Sequence, residues 1–172
     1  GGLLGGHSGA EIDKGRGNAN LLMGRVLYAV SERTPLRLIS VGGGLKDNAI
    51  PRESRAVITV ADAAAAQTAI SDMDAALRHE YAAADPDVFV RAEAAQPQQL
   101  PMDEASTQRA VCMLCCQPNG IQAMSRDIPG LVQTSLNLGI LTTDANTVQA
   151  SFCVRSSVDT QKEMLVARLR CL

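Results

Sequence analysis

Apolar residues recur at helical spacing through Ala19, Leu22, Val26 and Ala29, which predicts a helix from about Asn18. Upstream, Ser8 and Glu11 stand at capping-box spacing, which predicts a helical turn before Gly15 and Gly17 interrupt it. The stretch "TPLRLISVGGG" then predicts a short strand that ends in glycines. In "NAIPRESRAVITVA" a turn leads into a second strand with Ala56, Ile58 and Val60 on one face. Asp62 is positioned to cap an Ala-rich helix reaching about Ala83, whose buried stripe is Ile70, Met73 and Leu77.

The period changes again in "DPDVFVRAEAA", which predicts a strand with Val88, Val90, Ala92 and Ala94 on one side. After the linker "QPQQLP", Asp103 opens a helix through "CMLCC". "LVQTSLNLGIL" alternates with Val132, Thr134, Leu136, Leu138 and Ile140 on one face, and "VQASFCVRS" follows the turn "TTDANT" as its hairpin partner. Ser157 to Leu172 reads as a closing helix carrying Val158, Leu165 and Leu169. The order implies an α+β fold, an antiparallel sheet with helices on one face. It divides into two ferredoxin-like (split β-α-β) units in tandem, residues 1–96 and 97–172. The first unit lacks its first strand ahead of Gly1, and the last helix has no cap, so a larger parent protein is expected.

Composition narrows the function classes. The chain has 172 residues, 46% hydrophobic and 20% charged, which suits a folded globular domain. A net charge of −2 and only two Tyr, two Phe and no Trp give no case for nucleic acid or an anionic membrane. No apolar run approaches the roughly 18 residues of a membrane span, and no signal segment is present. The five cysteines are Cys112, Cys115, Cys116, Cys153 and Cys171. Their odd number and clustering argue for a reducing cytoplasm over a disulfide scaffold. No second cysteine pair completes a structural zinc site. With Val111, Met113 and Leu114 around them, the clustered thiols are expected as small buried hydrophobes.

His7, in "GGHSG", is one of only two histidines. It can be a turn histidine bonded to backbone, half of a Cys/His pair, or a donor to developing negative charge. A metal site would need further ligands, and His79 lies on a charged, solvent-facing helix. Neither "GGLLGG" nor Gly42 to Gly44 has the spacing of a phosphate-binding loop.

"GGHSGAEIDKGRGNANLLMGRVLYAV", "NAIPRESRAVITV", "SRDIPGLVQTSLNLGIL" and "VRSSVDTQKEML" together resemble, in order, the lid (dimerisation-type) domain of bacterial aminoacyl-histidine dipeptidases. These belong to the carnosinase-like di-zinc metallopeptidases. The resemblance implies that His7 stabilises the tetrahedral oxyanion, that Asn48 contacts substrate, and that Arg155 holds the substrate's terminal carboxylate. A guanidinium suits that last task because it makes two parallel hydrogen bonds to a carboxylate.

The family's zinc ligands lie on a separate catalytic domain, including H-x-D and Glu-Glu elements that this sequence lacks. The resemblance therefore implies two zinc ions bound by that absent domain and no metal ligands in this chain. It implies a cytoplasmic enzyme acting on Xaa-His dipeptides such as β-alanyl-histidine, with this segment inactive alone. The expected partners are the chain's own catalytic domain, the dipeptide and a second copy in a homodimer, with no nucleic acid and no membrane. The alternative is a non-catalytic dimerisation module in which His7, Asn48 and Arg155 are ordinary surface residues.

Overall fold

The computed structural model describes residues 1–96 and 99–172, so Pro97 and Gln98 of the expected linker lie outside the described residues. Among the described residues, eleven α-helices and strands follow in chain order, with one 3-10 turn at Ile12–Lys14. The first half holds β1 (Gly6–His7), α1 (Ala19–Ser31), β2 (Leu36–Gly43), β3 (Ala49–Ile50), β4 (Ser54–Val60) and α2 (Ala63–Glu80). The second holds α3 (Glu104–Cys116), β5 (Gly120–Met124), β6 (Val132–Thr143), β7 (Val148–Ser156) and α4 (Asp159–Cys171). No helix among the described residues is long and apolar enough to cross a membrane.

Three helices begin where a short polar side chain can take orphan amides. Asn18 accepts from Asn20 and Leu21, Asp62 from Ala64 and Ala65, and Asp103 from Ser106. The helices α1, α2 and α3 pack with β2 and β6 around one core. Leu22, Val26, Leu27 and Val30 of α1 join Leu38 and Val41 of β2 and Leu138 and Leu141 of β6 there.

The sheet is antiparallel, in the order β4-β2-β6-β5, with β7 also paired to β6. A second, two-stranded sheet joins β1 to β3. The two halves meet where Gly43 of β2 lies opposite Leu141 of β6. Thr143 strengthens this narrow junction, because its hydroxyl meets both the N–H and the carbonyl of Val41 at 2.9 and 2.7 Å.

Four local expectations need correction. Residues 88–94 form no strand. The N–H of Val88 goes to Asp85, that of Phe89 to Gly1 and that of Val90 to the Asp74 carboxylate, so no single neighbour offers a ladder. In β6 the strict alternation fails at Gly139, where the register with β7 shifts between Leu138 and Ile140. This bulge puts Leu141, not Ile140, into the core after Leu138.

The clustered cysteines are not buried: Cys112, Cys115 and Cys116 are all exposed. Thr107, Ala110, Val111 and Leu114 already occupy the inward stripe of α3, which leaves those thiols off the core face. The capping turn at the start of the chain also forms one residue early, around His7 instead of Ser8. Finally, the sequence pattern did not signal β5 or the short strands β1 and β3.

Candidate functional site

The glycine-rich segment is held at both ends by one buried carboxylate. Asp85, fully buried, accepts the N–H of Leu4 on Oδ1 and that of Gly17 on Oδ2, each at 2.7 Å. Between those anchors, Gly6 and His7 pair with Ile50 and Ala49, and the N–H of Ser8 reaches the Asn48 carbonyl at 2.9 Å. The chain then turns back on itself, because the Glu11 N–H bonds the His7 carbonyl at 2.9 Å.

His7 is the cap of that turn. Its Nδ1 accepts the N–H groups of Gly9 and Ala10, both at 3.1 Å. Glu11 reaches back in reciprocation, its Oε2 accepting the His7 backbone N–H at 2.8 Å. Arg16 donates to the other Glu11 oxygen at 2.9 Å and also to the Gly5 carbonyl. The His7 N–H first, and then the Arg16 guanidinium, hold the Glu11 carboxyl below its ordinary value. A ring nitrogen that accepts two N–H groups carries no hydrogen, so the neutral imidazole keeps its hydrogen on Nε2. No described residue bonds Nε2, and the ring is exposed.

Arg155 reaches the same place from the far end of the chain. It lies on β7 opposite Ser135 and is exposed, and its side chain makes no ion pair or hydrogen bond among the described residues. Gly9 separates it from His7. A Cβ on Gly9 would lie 3.0 Å from His7 Cε1 and 3.2 Å from Arg155 Cζ. The imidazole and the guanidinium thus face each other across a residue with no side chain.

Asn48 is the third predicted residue. Its backbone is fixed from behind by a pair of buried amides. Asn137 Nδ2 donates to the Asp47 and Ala49 carbonyls at 3.0 and 2.8 Å, and Asn18 Nδ2 donates to Asn137 Oδ1 at 3.1 Å. The Asn48 side chain is half-buried and has no hydrogen-bond partner among the described residues.

All three predicted residues therefore surround one short loop, with their functional atoms free. Sequence reasoning missed the supporting residues Asp85, Glu11 in its reciprocal role, Asn137 and Gly9. Glu11 carried a signal through its capping-box spacing, assigned to Ser8 instead of His7, and Asn137 carried one as a polar residue inside the apolar run "LNLGIL". Among the described residues, no group of three or more His, Cys, Asp or Glu side chains could hold a metal ion.

Comparison with known proteins gives the chain's relatives. Residues 1–85 match the peptidase dimerisation domain family. They form a peptidase dimerisation domain.

The likeness extends past that domain to both halves of the chain. Over 173 aligned positions the chain is 35% identical to the cytosol non-specific dipeptidase of Escherichia coli (strain K12), covering 99% of this chain and 36% of that relative. The crystal structure of aminoacylhistidine dipeptidase from Vibrio alginolyticus superposes with a TM-score of 0.90 at 35% identity. That match covers 99% of this chain and 35% of the other, so the chain spans about a third of the length of the dipeptidases it resembles. His7, Gly9, Glu11, Asn48 and Asp85 lie inside the dimerisation domain, whereas Arg155 comes from the chain beyond it.

Proposed function

We propose that this chain is the lid of a cytoplasmic dipeptidase acting on Xaa-His dipeptides, in which it binds substrate and stabilises the oxyanion. The observation that carries this reading is the meeting of His7 and Arg155 across Gly9, although 148 positions separate them in sequence. A dipeptide offers a terminal carboxylate close to its single scissile carbonyl. An unpaired guanidinium beside an unpaired imidazole N–H matches those two demands.

In this reading His7 Nε2 donates to the oxygen that gains charge as the carbonyl becomes tetrahedral. The guanidinium of Arg155 takes the carboxylate in a forked pair of hydrogen bonds. The Asn48 amide supplies a further contact that orients the peptide. In this reading the two zinc ions implied by the family resemblance belong to the catalytic domain, and this chain contributes contacts to the substrate. Without its catalytic domain the chain would leave peptides intact.

The deciding experiment is His7→Ala in the complete dipeptidase, assayed on β-alanyl-histidine. Loss of one oxyanion donor lowers kcat by about 10²–10³, with little change in KM. An unchanged kcat would remove His7 from the reaction.

The match to a dimerisation family also favours a homodimer formed through this chain. Sedimentation over a concentration series measures that association directly. It is compatible with the lid role, since one surface can serve the partner copy and another the substrate.

A further inference from the structure

Cys112 and Cys116 lie one turn apart on the exposed side of α3, with their sulfur atoms 3.8 Å apart. They play no part in the core, which α3 meets through Ala110, Val111 and Leu114. Cys115 is turned elsewhere, its sulfur donating to the Gly24 carbonyl at 3.4 Å.

The spacing of the pair decides what it can form. A disulfide needs Cβ atoms about 3.5–4.5 Å apart and a bond of about 2.05 Å. On successive turns of a helix the Cβ atoms stand about 5–6 Å apart. Direct oxidation would therefore require the last turn of α3 to unwind. A single bridging atom meets no such obstacle. Two thiolates on a tetrahedral zinc ion, each about 2.3 Å from the metal, stand about 3.8 Å from one another. The helix already holds the sulfurs at that distance.

We propose that Cys112 and Cys116 form a two-thiolate site for a soft divalent cation of the zinc and cadmium class. The two thiols lie within hydrogen-bond reach of one another, with either sulfur able to donate. On binding, two thiols and one M²⁺ give M(SR)₂ and two H⁺, with no change in oxidation state. No third Cys, His, Asp or Glu among the described residues completes the set, so solvent fills the remaining positions. The helix fixes the backbone positions of the two cysteines beforehand, which lowers the entropy cost of chelation.

The test is a Cd²⁺ titration of the chain, kept reduced with a non-thiol reductant, following sulfur-to-metal charge-transfer absorption and proton release. The site predicts one Cd²⁺ and two protons per chain. Cys112→Ser or Cys116→Ser should each weaken binding more than about tenfold, whereas Cys115→Ser and Cys171→Ser should leave it intact. The thiols are exposed, so far-ultraviolet circular dichroism of each variant should match the parent. Absence of the band, its survival in both the Cys112→Ser and Cys116→Ser variants, or its dependence on Cys171 would overturn the proposal.

Discussion

Asp85 Oδ2 accepts the N–H of Gly17 at 2.7 Å from the opposite end of the first half of the chain. Its other oxygen holds Leu4, so one buried carboxylate closes the loop that carries His7. Asp85→Ala leaves two N–H groups without their charged acceptor and should cost on the order of 3 kcal/mol. Asp85→Asn keeps one acceptor oxygen and should cost less. Urea denaturation gives both values, and equal losses would contradict the two-oxygen role.

The imidazole of His7 should show one tautomer. Long-range ¹⁵N–¹H correlation should find Nδ1 without hydrogen and Nε2 with it, because Gly9 and Ala10 both donate to Nδ1. A hydrogen on Nδ1 would mean that the capping turn is not formed in solution.

Acid should loosen this turn through Glu11. Its carboxyl is held below the ordinary value of 4.5 by the His7 N–H and by Arg16. A carboxylate depressed in the folded state stabilises it fully above the unfolded value, and this is lost as pH falls through the folded value. Protection of the His7 amide, measured against its intrinsic exchange rate, should therefore fall once the pH drops below 4.5. Glu11→Gln removes the charge and should flatten that profile; a profile identical to the parent's would assign the transition to another group.

Gly24 should resist replacement. Alanine is the better helix former by about 1 kcal/mol. A Cβ there, however, would lie 2.7 Å from the Cβ of Leu114 and 3.1 Å from its carbonyl carbon. Those atoms belong to the backbone end of Leu114 and cannot swing aside. Separating the two helices should cost about 1–3 kcal/mol, so packing outweighs propensity. A Gly24→Ala variant as stable as the parent would show that α1 and α3 can part cheaply.

Arg155→Ala in the complete dipeptidase should raise KM for a dipeptide roughly tenfold to a hundredfold, the loss expected when a charged group goes without its hydrogen bonds. The fold should be unaffected, since the side chain is exposed and bonds no described residue. An amidated dipeptide, lacking the terminal charge, should distinguish the parent from the variant far less. If KM shifts equally for both substrates, Arg155 does not read the carboxylate.

Local pattern carried much of the fold. Asn18, Asp62 and Asp103 each precede a helix that forms where the period predicts, because capping and amphipathic spacing are encoded within a few residues. The hairpin of β6 and β7 follows from alternation on both sides of "TTDANT". His7, Asn48 and Arg155 were legible as candidates through the family resemblance and not through spacing, since no local rule relates residues so far apart.

The tertiary structure decided the rest, for reasons no local window contains. Residues 88–94 have strand periodicity but meet three different backbone or carboxylate acceptors instead of one partner strand. Gly139 interrupts the alternation of β6, which exchanges Ile140 for Leu141 in the core. The apolar neighbours of the cysteines suggested burial, yet those neighbours fill the inward stripe of α3 and leave the thiols outside. The sequence by itself determined the four helices and the strands β2, β4, β6 and β7, and it named the side chains that are candidates for chemistry. Only the fold brought His7 and Arg155 to opposite sides of Gly9, because Arg155 arrives on β7 from the far end of the chain and His7 sits in a loop that Asp85 anchors at both ends.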